Sequence, residues 1–132
     1  MNGATRNNVL KYAKQQYGTV PEVLWPKYPK DVVLRNNCGK KWYAIIMEVR
    51  ADRFGGKASD VVDVMNVKCS PDVVEFLWEQ NGIFPAYHMN KRHWISILLD
   101  GKLDAEKVFG LMDFSYKLTA SAVKAPKNKS EF

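Results

Sequence analysis

The chain has 132 residues, 46% of them hydrophobic and 26% charged. That fits one globular domain able to bury roughly two thirds of its unfolded surface, and it excludes wholesale disorder. Twenty Lys and Arg against 14 Asp and Glu give a formal charge of +6, which favours an acidic partner without naming one. No apolar run approaches the ~20 residues of a membrane helix and the start lacks a secretory core, so a soluble, cytoplasmic monomer without a membrane partner is expected. Cys38 and Cys69 form no C-x-x-C pair and support neither a disulfide scaffold nor a zinc knuckle.

In chain order, Thr5 to Tyr17 fits an amphipathic helix with Val9, Tyr12 or Ala13, and Tyr17 at helical spacing and Gly18 placed to end it. The segment from Val20 to Pro29 holds three prolines and reads as an extended connection. Its Trp25 and Tyr28 would pack over an open sheet face or stack on a ligand. Asp31 to Arg35 and Lys41 to Val49 are β-rich and flank a basic loop, Asn36 to Lys40, as in a hairpin. Asp60 to Lys68 is a third strand. Ser70-Pro71-Asp72 then opens a helix with cap, first-turn proline and acid in place, its buried stripe being Val73, Val74, Phe76 and Leu77. Asp104 caps a last helix to about Tyr116, with Val108, Leu111 or Met112, and Ser115 or Tyr116 inward. From Ala120 onward little remains to bury, which predicts a domain over 1–119 and a disordered basic tail over 120–132.

Between the last two helices, Gly82 to Asp100 reads as a second hairpin whose tip is cationic and flanked by aromatics. A two-residue turn at Asn90-Lys91 would set His88 opposite His93 and Tyr87 opposite Trp94. Alternation then sends Phe84, Ala86, His88, Ile95 and Ile97 to a core face, and Pro85, Tyr87, Arg92, Trp94 and Ser96 to the other. The predicted fold is α+β: one antiparallel sheet with helices on one face, in the order α-β-β-β-α-β-β-α.

Four segments carry a family resemblance: Gly82 to Ile97, Asn66-Val-Lys-Cys-Ser-Pro, Trp42-Tyr-Ala-Ile-Ile-Met and Leu111-Met-Asp-Phe-Ser-Tyr. Through them the chain resembles the MmcQ/YjbR-like family of small bacterial proteins over about Thr5 to Leu118. The resemblance implies a frataxin-like (CyaY-like) fold described as a double-wing nucleic-acid-binding motif, and hence DNA rather than RNA as partner. Frataxin-like proteins bind iron through an acidic ridge. Asn2 to Tyr17 contains no Asp or Glu, so iron handling does not carry over.

No catalytic signature emerges. The Gly55-Gly56 pair lacks a phosphate-loop context. His88 and His93 make two ligands where zinc wants three or four, and Cys69, next to a helix start, lacks a placed base. No cofactor, metal or enzymatic activity is expected. The expected function is nucleic-acid binding through two wings: Asn90, Lys91, Arg92 and His88 on one, Arg35, Lys40 and Lys41 on the other. Trp42, Tyr87 and Trp94 are candidate stacking surfaces. The alternative is a protein-interaction adaptor using the same aromatic patch, because Trp, Tyr and Arg also dominate protein interfaces.

Overall fold

The computed structural model describes residues 2–120; the expected disordered tail lies, from residue 121, outside the described residues. A five-stranded antiparallel sheet runs in the order β2-β3-β4-β6-β5, formed by Val32–Arg35, Trp42–Arg50, Val61–Lys68, Trp94–Leu98 and Ile83–Pro85. Helices α1 (Arg6–Tyr17), α2 (Val74–Trp78) and α3 (Ala105–Thr119) contribute to the buried cluster on one face of this sheet. Among the described residues no helix is long and apolar enough to cross a membrane.

The signals read for the end of α1 and the start of α3 act: Gly18 closes α1 in the left-handed conformation and Asp104 caps α3 through the Lys107 amide. Thr5 also caps α1, in a reciprocal capping box with Asn8. Val9 and Ala13 of α1 and Val108, Met112 and Ser115 of α3 are buried, meeting Leu34, Ala44, Ile46, Met65, Val67, Ile95 and Ile97 from the sheet. Around this apolar seam Tyr12 and Tyr17 both donate to the Asp113 carboxylate of α3. Burial first, then the Asp113 hydrogen bond and charge, push the Tyr12 hydroxyl up to about 12 and move Tyr17 in the same direction. Both stay neutral and serve as donors.

A bulge shapes β3. Val33 pairs with Ile45 and Leu34 with Ala44, but Arg35 pairs with Trp42, so one residue of β3 is extra. The shift turns the Tyr43 ring among Tyr17 and Tyr116 and leaves Trp42 on the opposite face with Ile45 and Met47. Glu48 and Asp63 face each other across the β3–β4 ladder, yet Lys30 reaches the first at 3.4 Å and Arg6 the second at 3.0 Å. They are two separate ion pairs rather than an acid–base couple.

The sheet is not the single one expected, and the element order gains two strands. Gly3–Thr5 (β1) and Asp100–Asp104 (β7) form a separate antiparallel ribbon that joins the N-terminus to the start of α3. The backbones approach so closely that a Cβ on Gly3 would lie 1.7 Å from the Gly101 carbonyl oxygen. The second helix is also shorter than predicted. Ser70 accepts from the Asp72 amide, a turn follows, and α2 begins only at Val74, leaving Phe76 exposed.

The Gly82–Asp100 hairpin departs most from expectation. Ile83 pairs with Ile97, Phe84 with Ser96 and Pro85 with Ile95, a register one residue from the predicted one. Eight residues, 86–93, join the strands instead of a two-residue turn. The cause is a buried polar pair: Ser96 Oγ donates to Asn66 Oδ1 at 2.5 Å and accepts from the Tyr87 amide at 2.8 Å, while Asn66 Nδ2 donates to the Tyr87 carbonyl at 2.9 Å. These bonds pull the chain out of the ladder at Pro85, which has no amide to contribute. The one-residue slip moves Phe84 to the face away from the helices. His88 no longer opposes His93, and Trp94 faces Lys68 instead of Tyr87.

Candidate nucleic-acid interface

The face away from the helices is covered by irregular chain. Val33, Ile45, Met47, Val49 and Val64 form its buried floor, and Trp42, Phe54, Tyr87, Met89 and Leu98 pack over them. The proline-rich segment between α1 and β2 acts as a strap. It bridges the outer edge of β2 through reciprocal Glu22–Val33 backbone bonds, and then brings Trp25 edge-on to Trp42 with ring centroids 6.0 Å apart.

Strand registers fix the two basic loops at one end of the sheet. The 36–41 loop leads into Trp42, at the start of β3; that start lies beside the C-terminal end of β4, and the last residue of β4, Lys68, pairs with Trp94, which follows the 86–93 loop. Only β4 separates β3 from β6, so the loop roots stand about two strand spacings, ~10 Å, apart. Lys40, Lys41, Lys91 and Arg92 are exposed at this end, and Lys68 stands between the loops with its ammonium 6.0 Å from the centre of the Trp94 ring.

Each loop is anchored by a buried side chain. Asn36 is fully buried; its Nδ2 donates to the Tyr116 carbonyl at 2.7 Å and its Oδ1 accepts from the Cys38 amide at 2.8 Å, tying the first loop to the end of α3. Asn66 and Ser96 hold the second. There Asn90 accepts from the Arg92 amide at 2.8 Å, and Lys91 Nζ donates to the Ala86 carbonyl at 2.9 Å, so that ammonium lies back along its own loop. The two non-glycine residues with positive φ among the described residues are Lys40 (64°) and His88 (58°), one on each loop. Such strain persists only where the surroundings over-determine the backbone, as these anchors do.

The candidates differ in availability. Arg35 is committed to the fold: its Nε lies 3.1 Å from both Glu22 carboxylate oxygens and its Nη1 donates to the Lys40 carbonyl, clamping strap and loop together. Arg92 reaches Glu75 only at 3.9 Å. Trp42 and Tyr87 are half-buried and line one cleft of about 330 Å³ together with Trp25, Tyr28, Asp31 and His88. Trp94, also half-buried, lies on the same face but outside that cleft, beside Lys68. Across the ridge formed by Tyr87 and His88, a second cleft of about 390 Å³ is lined by Arg53, Phe54, Phe84 and Lys91.

Sequence reasoning passed over Asp31, Arg53 and Lys68. The position of Lys68 at the end of a strand facing Trp94 was accessible from the registers; Asp31 and Arg53 needed the strap and the 51–54 turn in place. Cys69 is buried, and burial alone pushes its thiol up to about 11, as suits an ordinary buried thiol rather than a reactive one. Among the described residues, no group of three or more His, Cys, Asp and Glu side chains is disposed to hold a metal ion.

An α+β protein with an antiparallel sheet and three helices, carrying basic loops at one end of the sheet, is the class that fold and site define. The chain belongs to the YjbR family, whose model matches residues 14–118. It is 38% identical over 115 residues to the protein YyaQ of Bacillus subtilis, covering 87% of this chain and 98% of that one. A 66-residue stretch is 33% identical to YjbR of Escherichia coli K12, covering 49% and 56% respectively. Among solved structures, a Pseudomonas syringae protein superposes with a TM-score of 0.83 at 40% identity over 87% of this chain and 98% of that one. A Deinococcus radiodurans protein shares the fold at 19% identity, with a TM-score of 0.67 over 93% and 83%.

Proposed function

We propose that this protein is a non-enzymatic nucleic-acid-binding module of the double-wing, CyaY-like type, with DNA as the first ligand to test. The observation that carries the reading is the convergence of two anchored basic loops at one end of the sheet, on either side of Lys68. Lysine and arginine at loop tips suit phosphates, whose contacts position a protein without reading sequence. The rings of Trp42, Tyr87 and Trp94 on the adjoining face suit bases, which stack on aromatics regardless of identity.

The test is a salt titration. Lys91→Ala/Arg92→Ala removes two exposed cations and, with Lys91, one bond to the Ala86 carbonyl inside the same loop, so the sheet and helices should hold. Binding to two unrelated duplexes and one single strand should weaken similarly, and the slope of log affinity against log salt should shrink by about 0.7–0.9 per lost phosphate contact. Unchanged affinity and slope on all three would remove the second loop from the interface. One observation favours the adaptor reading instead: five large apolar side chains of the strap, Val20, Val23, Leu24, Trp25 and Tyr28, are exposed, and exposed apolar and aromatic side chains suit a protein partner. Salt-independent binding of a protein partner, lost on substitution in the strap, would favour it.

A further inference from the structure

We infer that the cleft between the strap and the Tyr87–His88 ridge is a pocket for one unpaired nucleobase that bears an exocyclic amino group. The inference deepens the nucleic-acid reading and rests on it for the source of the base. The walls are aromatic: Trp25 and Trp42 meet at 89° and make a corner in which a planar ring lying flat on one indole turns its edge to the face of the other. Tyr87 and His88, with ring centroids 4.0 Å apart, form the opposite wall. The volume of about 330 Å³ admits a single heterocycle.

One carboxylate sets the chemistry. Asp31 lines this cleft, and its Oδ1 accepts from the Glu48 amide at 3.2 Å, which fixes the side chain. Oδ2 has no hydrogen bond or ion pair among the described residues, so a carboxylate that lines an aromatic cleft keeps one oxygen without a donor. A carboxylate there takes the amino group of cytosine, adenine or guanine and disfavours the carbonyl that thymine or uracil presents. An aromatic cage with one acid also suits a quaternary ammonium. Charge argues against that occupant: Lys91 and Arg53 line the cleft across the ridge. Those two cations suit the phosphate attached to a base and repel a free cation.

Cytidine carries at C4 the amino group that Asp31 would read, where uridine carries a carbonyl beside an N3–H, and neither nucleoside carries phosphate. Each is titrated into the isotope-labelled full chain while the indole N–H signals of Trp25 and Trp42 are followed by NMR. Cytidine should shift both signals and bind about tenfold more tightly than uridine. Asp31→Asn keeps Oδ1 for the Glu48 amide but loses the charged acceptor, and should bring the two nucleosides level. Equal binding of both by the wild type, no shift with either, or a preference that survives Asp31→Asn would overturn the inference, as would choline moving the indole signals where cytidine does not. The salt titration of oligonucleotides stands apart. A steep slope with silent nucleosides removes only the base pocket, whereas responsive indoles with no salt-dependent binding remove only the wings.

Discussion

The two faces of the sheet solve the same problem with different material. On one, regular helices cover aliphatic side chains, and the polar groups at the rim, the tyrosines around Asp113, bind helix to helix. On the other, a strap, a short turn and an eight-residue loop cover the floor with single aromatic and Met side chains; the strap is held by Glu22–Val33 backbone bonds and the eight-residue loop by the buried Asn66 and Ser96. A helix offers its inner side chains only to the core, whereas a loop held by its backbone leaves side chains free for a ligand. The first face therefore carries the larger part of the stability and the second carries the candidate chemistry.

That division can be broken in measurable steps. The largest effect belongs to the helix face: Ile46→Ala empties a fully buried site and should cost about 3–4 kcal/mol in urea unfolding, while Trp25→Ala on the strap should cost well under half as much. Equal losses would erase the distinction. Next comes the alkaline limb. Tyr12 titrates from an ordinary value of 10.0 to about 12 in the fold, so the folded state keeps a proton that the unfolded chain releases. Stability should be unaffected by this group below about pH 10 and fall as pH rises through 12, more gently in Tyr12→Phe. A urea midpoint that stays flat to pH 12 would contradict it.

Asn66→Ala tests the other face. It strips the Tyr87 carbonyl and the Ser96 hydroxyl of their partner and should cost about 2 kcal/mol. Hydrogen exchange should also accelerate across residues 86–93 before any global change. Uniform loss of protection over the whole sheet would show that the loop is not separately held. The smallest effect has the opposite sign: His88→Gly relieves a positive φ and should stabilise by ~0.5–1 kcal/mol, the gain being limited by the extra freedom of glycine when unfolded. Destabilisation would show that the ring against Tyr87 outweighs the backbone strain.

How much of this was legible in the sequence follows from the range of the interactions involved. α1, α3 and the β2–β3 hairpin are specified locally, by Thr5, Gly18, Asp104 and the loop around Gly39, and they form where those signals lie. The β1–β7 ribbon was invisible because Asp100-Gly-Lys-Leu-Asp has no strand pattern of its own and pairs only because Gly3 admits it. The register of the second hairpin depended on Asn66, 30 residues from Ser96 in sequence, a contact that no turn rule contains. The cationic half of the candidate site was readable because lysines at turns stay at the surface. The cleft was not, since Asp31, Trp42 and Tyr87 meet only after the strap crosses the sheet.

The same strap bears on the edges of the sheet. A sheet of five strands has two open borders, each a row of unsatisfied amides and carbonyls that can recruit a neighbouring chain and start aggregation. One border is β2, and there Glu22 occupies the Val33 backbone groups while Pro21, Pro26 and Pro29 prevent the strap from becoming a strand that another could extend. The other is β5, three residues long and ended by Pro85. One border is blocked by the strap and the other kept short by Pro85, so substitutions that free the strap expose a sticky edge as well as an empty pocket.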